Sequence, residues 1–112
     1  MKVLIEGHKY ELANFENPSS EGQVLQFIEK TPKFTCEAGK DPVPTGELTT
    51  VNDGTTNEEV LAVLIDRINS LNKKFPCREN SIALTHIETA LLWLNKRTAD
   101  RKQRNVEGQF KA

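Results

Sequence analysis

The chain has 112 residues, of which 37% are hydrophobic and 28% charged, and its formal net charge is −1. This length supports one modest domain, and the low apolar share leaves little material for a large core, so burial between copies is an expected source of stability. A net charge close to zero argues against bulk electrostatic binding to duplex nucleic acid or to an anionic membrane.

The first third of the chain predicts a small antiparallel β-sheet. Runs rich in β-formers lie at 2–6 and 9–15, and Gly7 and His8 form a tight turn between them. A third run at 23–31 alternates between apolar and polar residues. Three short strands are stable only when another surface covers one of their faces.

Residues 32–46 predict a loop because they contain three prolines and two glycines. A short strand follows at 48–51, and the turn residues 52–54 end it. We therefore expect an N-terminal β region over 1–47 and a helical hairpin over 48–112, together forming a single oligomeric α+β domain.

The first predicted helix begins at Thr56, where Thr56 and Glu59 have the spacing of a capping box. Its apolar residues fall within an arc of roughly 140°, which is the width of a core-facing stripe. They are Val60, Leu61, Leu64, Ile65, Ile68, Leu71 and Phe75. Pro76 ends this helix.

The second helix is predicted over 81–104, with Asn80 or Ser81 as its N-cap. About five residues join the two helices, so they are expected to pack as antiparallel neighbours. An apolar stripe in the second helix, made by Leu84, Ile87, Leu91 and Leu94, matches the apolar arc of the first.

A second stripe of the same helix predicts ligand chemistry. It consists of His86, Trp93, Arg97, Arg101 and Arg104. Helical neighbours at these spacings lie along one edge, so the indole of Trp93 is followed by a row of guanidinium groups. This edge offers a flat π surface for a base and planar donors for phosphates.

Ordinary structural roles also account for these residues. The segment 96–104 has five basic residues and one acidic residue, a local charge of +4, and cations are favoured at a helix C-terminus. Trp93 could pack in the hairpin or in an interface, and His86 is typical of a surface or packing residue. A small nucleic-acid-binding or transcriptional adaptor that uses this basic helix end is therefore the alternative function.

Neither a metal, a cofactor nor a catalytic centre is predicted. Cys36 and Cys77 lack metal-ligand spacing, and nothing orients Cys77, His86 or Glu88 as a nucleophile with its base. The two cysteines are expected to be reduced thiols of a cytoplasmic protein, with a disulfide as the alternative. We expect no signal peptide, because the apolar run after Lys2 ends at Glu6, and no segment has the length of a membrane span.

The beginning of the second helix resembles a known family. Residues 77–93 read CRENSIALTHIETALLW, which is similar to the pattern R-E-x-S-x-A-L-T-x-x-x-x-A-x-x-W in the hairpin of the phage anti-defence sponge proteins. The resemblance covers about half of the chain. It implies a protein without enzymatic activity that sequesters cyclic nucleotide signals made by bacterial immune systems.

One branch of that family consists of the hairpin alone and binds cyclic oligonucleotides of the CBASS pathway. The other adds an N-terminal β region and binds glycocyclic ADP-ribose isomers made in Thoeris defence. Because this chain has a predicted β region, it resembles the Thoeris branch more closely, with cyclic di- or trinucleotides as further candidate ligands. The resemblance also implies dimers that assemble into hexamers, in the cytoplasm of the infected bacterial host.

The resemblance implies ligand contacts at Asn80, Arg97 and Arg101, and Phe75 as a partner for adenine stacking. Trp93 and Arg104 are additional candidate contacts. Asn80 and Arg97 are seventeen residues apart on one helix, or about 25 Å at 1.5 Å per residue. One copy therefore cannot bring both residues to a small ligand, whereas two antiparallel copies can.

Overall fold

A computed structural model describes residues 1–35, 38–39 and 41–103 of the chain. Within these residues, five strands are followed by two helices, which confirms the predicted α+β class. The chain divides into two compact units, Met1–Thr55 and a second unit that begins at Thr56. The predicted division at residues 47 and 48 stays a prediction. Neither helix in these described ranges has both the length and the apolarity needed to cross a membrane.

The predicted three-stranded sheet is present in the first unit. Its strands are β1 (Lys2–Ile5), β2 (Lys9–Leu12) and β3 (Gln23–Gln26), paired antiparallel in the order β1-β2-β3. Gly7 has a φ of 77° in the turn between β1 and β2, a left-handed conformation that glycine adopts without steric cost. Beside it, the His8 N–H donates to the carbonyl of Ile5 at 3.0 Å.

The prediction of one continuous strand over 23–31 is wrong, because the chain changes sheets at Phe27. The Phe27 N–H donates to His8 O and the Ile28 N–H to Thr55 O, at 2.7 and 2.9 Å. The Phe27 ring also meets Tyr10 edge to face, with 6.1 Å between the ring centroids. These contacts hold the crossing point between β3 and the next strand.

The prediction of a loop over 32–46 is wrong at 32–35 and at 43–46, which belong to strands. Strand β4 (Glu29–Thr35) pairs antiparallel with β5 (Val43–Asn52) in a separate two-stranded sheet. Pro32 lies opposite Leu48, and Pro44 lies opposite Phe34. Proline is tolerated on edge strands because its missing N–H faces away from the ladder, and both strands here are edges. The predicted strand over 48–51 is confirmed as part of β5.

The helical hairpin is confirmed, with a shorter connection than predicted. Helix α1 (Asn57–Lys74) begins after Thr56, whose Oγ1 accepts the Glu59 N–H at 3.2 Å. Helix α2 (Arg78–Gln103) begins at Arg78, so the prediction of an N-cap at Asn80 or Ser81 is wrong. The predicted end of this helix at Arg104 lies outside the described residues.

The two helices pack along seams of half-buried residues spaced three or four apart, as in a heptad pattern. The α1 seam contains Leu61, Ile65, Ile68 and Asn72, and the α2 seam contains Asn80, Leu84, Ile87, Leu91, Leu94 and Thr98. The predicted stripe of α2 thus faces α1, whereas Leu64, Leu71 and Phe75 of the α1 stripe remain exposed. No hydrophobic residue among the described ones is buried.

Candidate ligand-binding site

The residues predicted to bind ligand form two groups at opposite ends of the hairpin. Phe75 and Asn80 lie at the turn between the helices, which we call the turn group. Trp93, Arg97 and Arg101 lie toward the described end of α2, which we call the basic group. Arg104 lies outside the described residues.

The turn is held by a cluster of hydrogen bonds around Asn72. The Asn72 side chain accepts the Cys77 N–H at 3.0 Å and donates to Ser81 Oγ at 3.1 Å. Ser81 Oγ in turn donates to the Cys77 carbonyl at 3.3 Å. A single amide therefore ties the last turn of α1 to the first turn of α2.

Cys77 acts as the cap of α2. Its Sγ lies 3.4 Å from the backbone nitrogen of Asn80, and its carbonyl accepts the Ser81 N–H at 3.3 Å. Sequence reasoning missed both Asn72 and Cys77. The available signal was an asparagine near the end of a helix whose side chain can bond locally to the backbone.

The two residues of the turn group lie in different environments. Phe75 follows α1, and 79% of it is exposed, so its ring presents a face to solvent. Asn80 is half-buried in the first turn of α2, near the end where the helix dipole favours an anion. Together they supply a stacking surface and an amide at the positive end of a helix.

The basic group borders an open groove of about 220 Å³, lined by Trp93, Lys96, Arg97 and Asp100. The indole of Trp93 is 67% exposed. Lys96 Nζ lies 3.3 Å from Asp100 Oδ2, so its charge is partly compensated. Arg97 is exposed and has no hydrogen bond or ion pair with another described residue. Its guanidinium is the donor in this groove that is available to an anion.

Arg101 differs from Arg97 although both were predicted as ligand contacts. Only 6% of Arg101 is exposed, and the residue already takes part in a noncovalent interaction within the chain. Contact with a ligand would require an exchange of that interaction. Its role in binding stays a prediction.

Within the basic group, Trp93 and Arg97 line one groove, whereas the turn group lies at the other end of α2. Asn80 and Arg97 lie on the continuous helix α2, so about 25 Å of helix rise separates them. A single copy presents an aromatic and amide surface at one end and an aromatic and guanidinium groove at the other.

These features define an α+β protein whose C-terminal unit is a helical hairpin with polar and aromatic surfaces at both ends. Residues 35–99 match the family model described as Acb2/Tad1, hairpin domain. Because this match covers more than half of the chain, the protein belongs to that family, which confirms the resemblance found in the sequence.

A curated relative supports the same assignment. The chain is 47% identical over 75 residues to the protein named Thoeris anti-defense 1 from Bacillus phage SBSphiJ7. The aligned region covers 56% of this chain and 53% of that protein. The chain thus spans about half the length of the curated relative it matches.

Proposed function

We propose that this protein is a phage anti-defence sponge that binds cyclic nucleotide immune signals and holds them without chemical change. The observation that carries the proposal is the Trp93–Arg97 groove, which pairs an exposed indole with an available guanidinium. The name of the phage relative supports a role against Thoeris defence. The proposed place of action is the cytoplasm of the infected bacterial host.

The preferred ligands in this proposal are glycocyclic ADP-ribose isomers, with cyclic di- and trinucleotides as further ligands. Such molecules combine a base, which stacks on an aromatic face, with phosphates, which accept hydrogen bonds from guanidinium groups. Phe75 and Trp93 would supply the stacking surfaces. Arg97 would supply the phosphate donor, and Arg101 would join it after exchanging its present interaction.

The proposed site needs two copies of the chain because the turn group and the basic group are about 25 Å apart on α2. An antiparallel arrangement would place the turn of one copy beside the basic group of another. Several large apolar side chains of the hairpin are exposed in the single chain, including Leu64, Leu71 and Leu92. Their burial between copies supports assembly into dimers and, from these, hexamers.

A sponge must hold its ligand below the concentration that activates the immune effector. This requires a Kd in the nanomolar range, which corresponds to a binding free energy of about −12 kcal/mol. Charge-assisted hydrogen bonds and base stacking inside a closed, desolvated cleft supply interactions of the required kind. The function requires no bond to break.

Titration of the protein with a glycocyclic ADP-ribose isomer in a calorimeter tests the proposal. Arg97→Ala removes a charge-assisted phosphate contact, worth about 1.5–3 kcal/mol, and should raise Kd about ten- to a hundredfold. Asn80→Ala should also raise Kd. Arg101→Ala should raise Kd as well, since the proposal has Arg101 exchange its present interaction for a contact with the ligand.

Lys102→Ala is the matched control, because it removes one positive charge from an exposed position of the same helix end. It should leave Kd within about twofold of the wild-type value, since screened surface charge contributes little. An equal loss of affinity in Arg97→Ala and Lys102→Ala would indicate that the ligand is held by general electrostatic attraction. That result, with binding to mixed-sequence DNA that falls steeply with salt, would favour the nucleic-acid adaptor.

A further inference from the structure

The Trp93–Arg97 groove has one acidic side chain beside its cations. The groove is lined by Trp93, Lys96, Arg97 and Asp100. Their spacings along α2 are three, one and three residues, so all four lie on one face of the helix. The Asp100 carboxylate therefore has two cations at helical-neighbour spacing in the groove, Lys96 four residues before it and Arg97 three residues before it.

The structure pairs Asp100 with Lys96 and leaves Arg97 unpaired. Lys96 Nζ donates to Asp100 Oδ2 at 3.3 Å, whereas Arg97 has no hydrogen bond or ion pair with another described residue. The side chains of Lys96 and Asp100 are 63% and 51% exposed. An ion pair in such a position contributes little to folding stability, because water screens it. Its consequence is local, since it occupies the carboxylate and leaves the guanidinium available.

The two cations of the groove differ in what they offer a phosphate. The guanidinium of Arg97 is planar and donates two parallel hydrogen bonds, whereas the ammonium of Lys96 is a point charge on a flexible stem. A carboxylate accepts the same pair of hydrogen bonds from an arginine as a phosphate does. The observed pairing thus uses the lysine to occupy the carboxylate and keeps the better phosphate donor open.

We propose that Lys96 is a positioning residue of the anion site, because it holds Asp100 and thereby keeps Arg97 free for the ligand. This inference rests on the function proposed above, and it adds a residue that acts through Arg97 without touching the ligand itself. When Lys96 is removed, Asp100 turns to Arg97, the other cation that lines the groove. The ligand then has to displace a carboxylate before it binds the guanidinium.

A double-mutant cycle tests this role, with Kd for a glycocyclic ADP-ribose isomer measured in a calorimeter. Lys96→Met removes the charge but keeps an unbranched side chain of similar helix propensity. It should raise Kd about three- to fivefold, the factor that corresponds to breaking an exposed ion pair. In the Asp100→Asn background there is no carboxylate to redirect, so the same substitution should change Kd by less than about twofold.

An equal loss of affinity in the two backgrounds would overturn the proposal. A direct contact between Lys96 and the ligand predicts that result, and so does attraction by net charge alone, because neither depends on Asp100. An unchanged Kd for Lys96→Met in the wild-type background would overturn it as well. That outcome would show that Asp100 does not turn to Arg97, for example because it pairs with Arg104, four residues further along the chain.

Two further variants control for the charge and for the side chain at position 96. Lys96→Arg retains a cation that can hold Asp100, so its Kd should lie within about twofold of wild type, and a Kd as high as that of Lys96→Met would contradict the positioning role. Lys102→Met makes the same chemical change as Lys96→Met at an exposed position outside the groove and should also stay within about twofold. A loss in Lys102→Met equal to that in Lys96→Met would assign the effect to net charge. Circular dichroism of each variant establishes that α2 is intact before the values are compared.

The exchange of partners is also measured without ligand, which separates it from the sponge function. In two-dimensional proton–nitrogen NMR spectra, the Nε–H signal of Arg97 should move when Lys96→Met is introduced into the wild-type chain. The signal should stay in place when the same substitution is made in the Asp100→Asn background. If the signals behave in this way but the protein binds no glycocyclic ADP-ribose, the exchange of partners stands and the sponge function fails. Tight ligand binding with an Arg97 signal that does not respond to Lys96→Met has the opposite meaning.

Discussion

At the scale of single residues, the structure distinguishes side chains that look equivalent in the sequence. Arg97 and Arg101 are one helical turn apart, yet Arg97 is exposed and Arg101 is buried. Cys77, which had no predicted role, caps α2 through its sulfur and its carbonyl. The role of Cys77 is local, but cysteine is not among the residue types that usually indicate a cap. The burial of Arg101 cannot be inferred from spacing along one helix.

Gly54 is a residue whose small size the fold requires. A Cβ atom at this position would lie 2.5 Å from the Gln26 carbonyl oxygen and 2.7 Å from the carbonyl carbon of Phe27. Because backbone atoms cannot easily move aside, Gly54→Ala should lower the free energy of unfolding by about 1–3 kcal/mol. Urea denaturation followed by circular dichroism measures this change.

Thr50→Ala, at an exposed position of β5, provides the comparison for Gly54→Ala. It should change the stability by less than about 0.5 kcal/mol. Equal stability of the two variants would show that the backbone around Gly54 relaxes readily.

At the scale of elements, the hairpin is defined by its caps and its turn as much as by its apolar seam. The Asn72 side chain bonds to both Cys77 and Ser81, so it connects the end of α1 with the beginning of α2. Phe75 and Asn80 lie on either side of Cys77 in the chain, so Asn72 is bonded to the segment that carries the turn group. Its loss should therefore affect both the stability of the hairpin and the geometry of the proposed site.

Asn72→Ala should lower the free energy of unfolding by about 0.5–1.5 kcal/mol, because it removes two hydrogen bonds at the turn. Asn69→Ala is the control, since Asn69 is an exposed residue of the same helix and the substitution gives the same gain in helix propensity. Thermal melts of both variants measure the difference. An Asn72→Ala protein as stable as Asn69→Ala would contradict a role for Asn72 in holding the turn.

The elements with the clearest local signals were the ones that sequence reasoning predicted well. Thr56 gave the start of α1, because capping is a local property. The apolar stripe gave the packed face of this helix only in part, since Leu64 and Leu71 remain exposed. Pro32 and Pro44 led to the prediction of a loop where parts of β4 and β5 lie. The free-energy cost of a proline in a strand depends on whether its nitrogen faces a neighbouring strand, which the sequence does not show. The start of α2 was misplaced because a cysteine is an uncommon cap.

Part of the candidate site was also predictable from a local sequence pattern. Trp93 and Arg97 share a groove because they are one turn apart on a helix, which their spacing alone indicates. The burial of Arg101 depends on its neighbours in the fold, so the spacing along α2 did not report it. The bonds of Asn72 reach only five and nine residues along the chain, but they depend on how the turn brings the two helix ends together, which the capping pattern did not predict.

At the scale of the whole molecule, the described part of the chain has apolar residues in seams but no buried hydrophobic core. A chain of 112 residues with 37% hydrophobic content has little apolar surface to bury by itself. The exposed apolar residues of α1, Leu64 and Leu71, fit the proposed assembly, in which another copy would cover them. The ligand site proposed here has the same requirement, because one hairpin holds its two halves apart.

Capture and release of the signal tests the sponge function most directly. The protein is incubated with a glycocyclic ADP-ribose isomer and, separately, with a cyclic tri-adenylate. The unbound pool is then removed, the protein is denatured by heat, and the released molecules are separated by chromatography. We expect at least the ADP-ribose isomer to disappear from the unbound pool and to return intact after heating. A ligand that stays in solution throughout, or one that returns cleaved, would contradict the proposal of a non-enzymatic sponge.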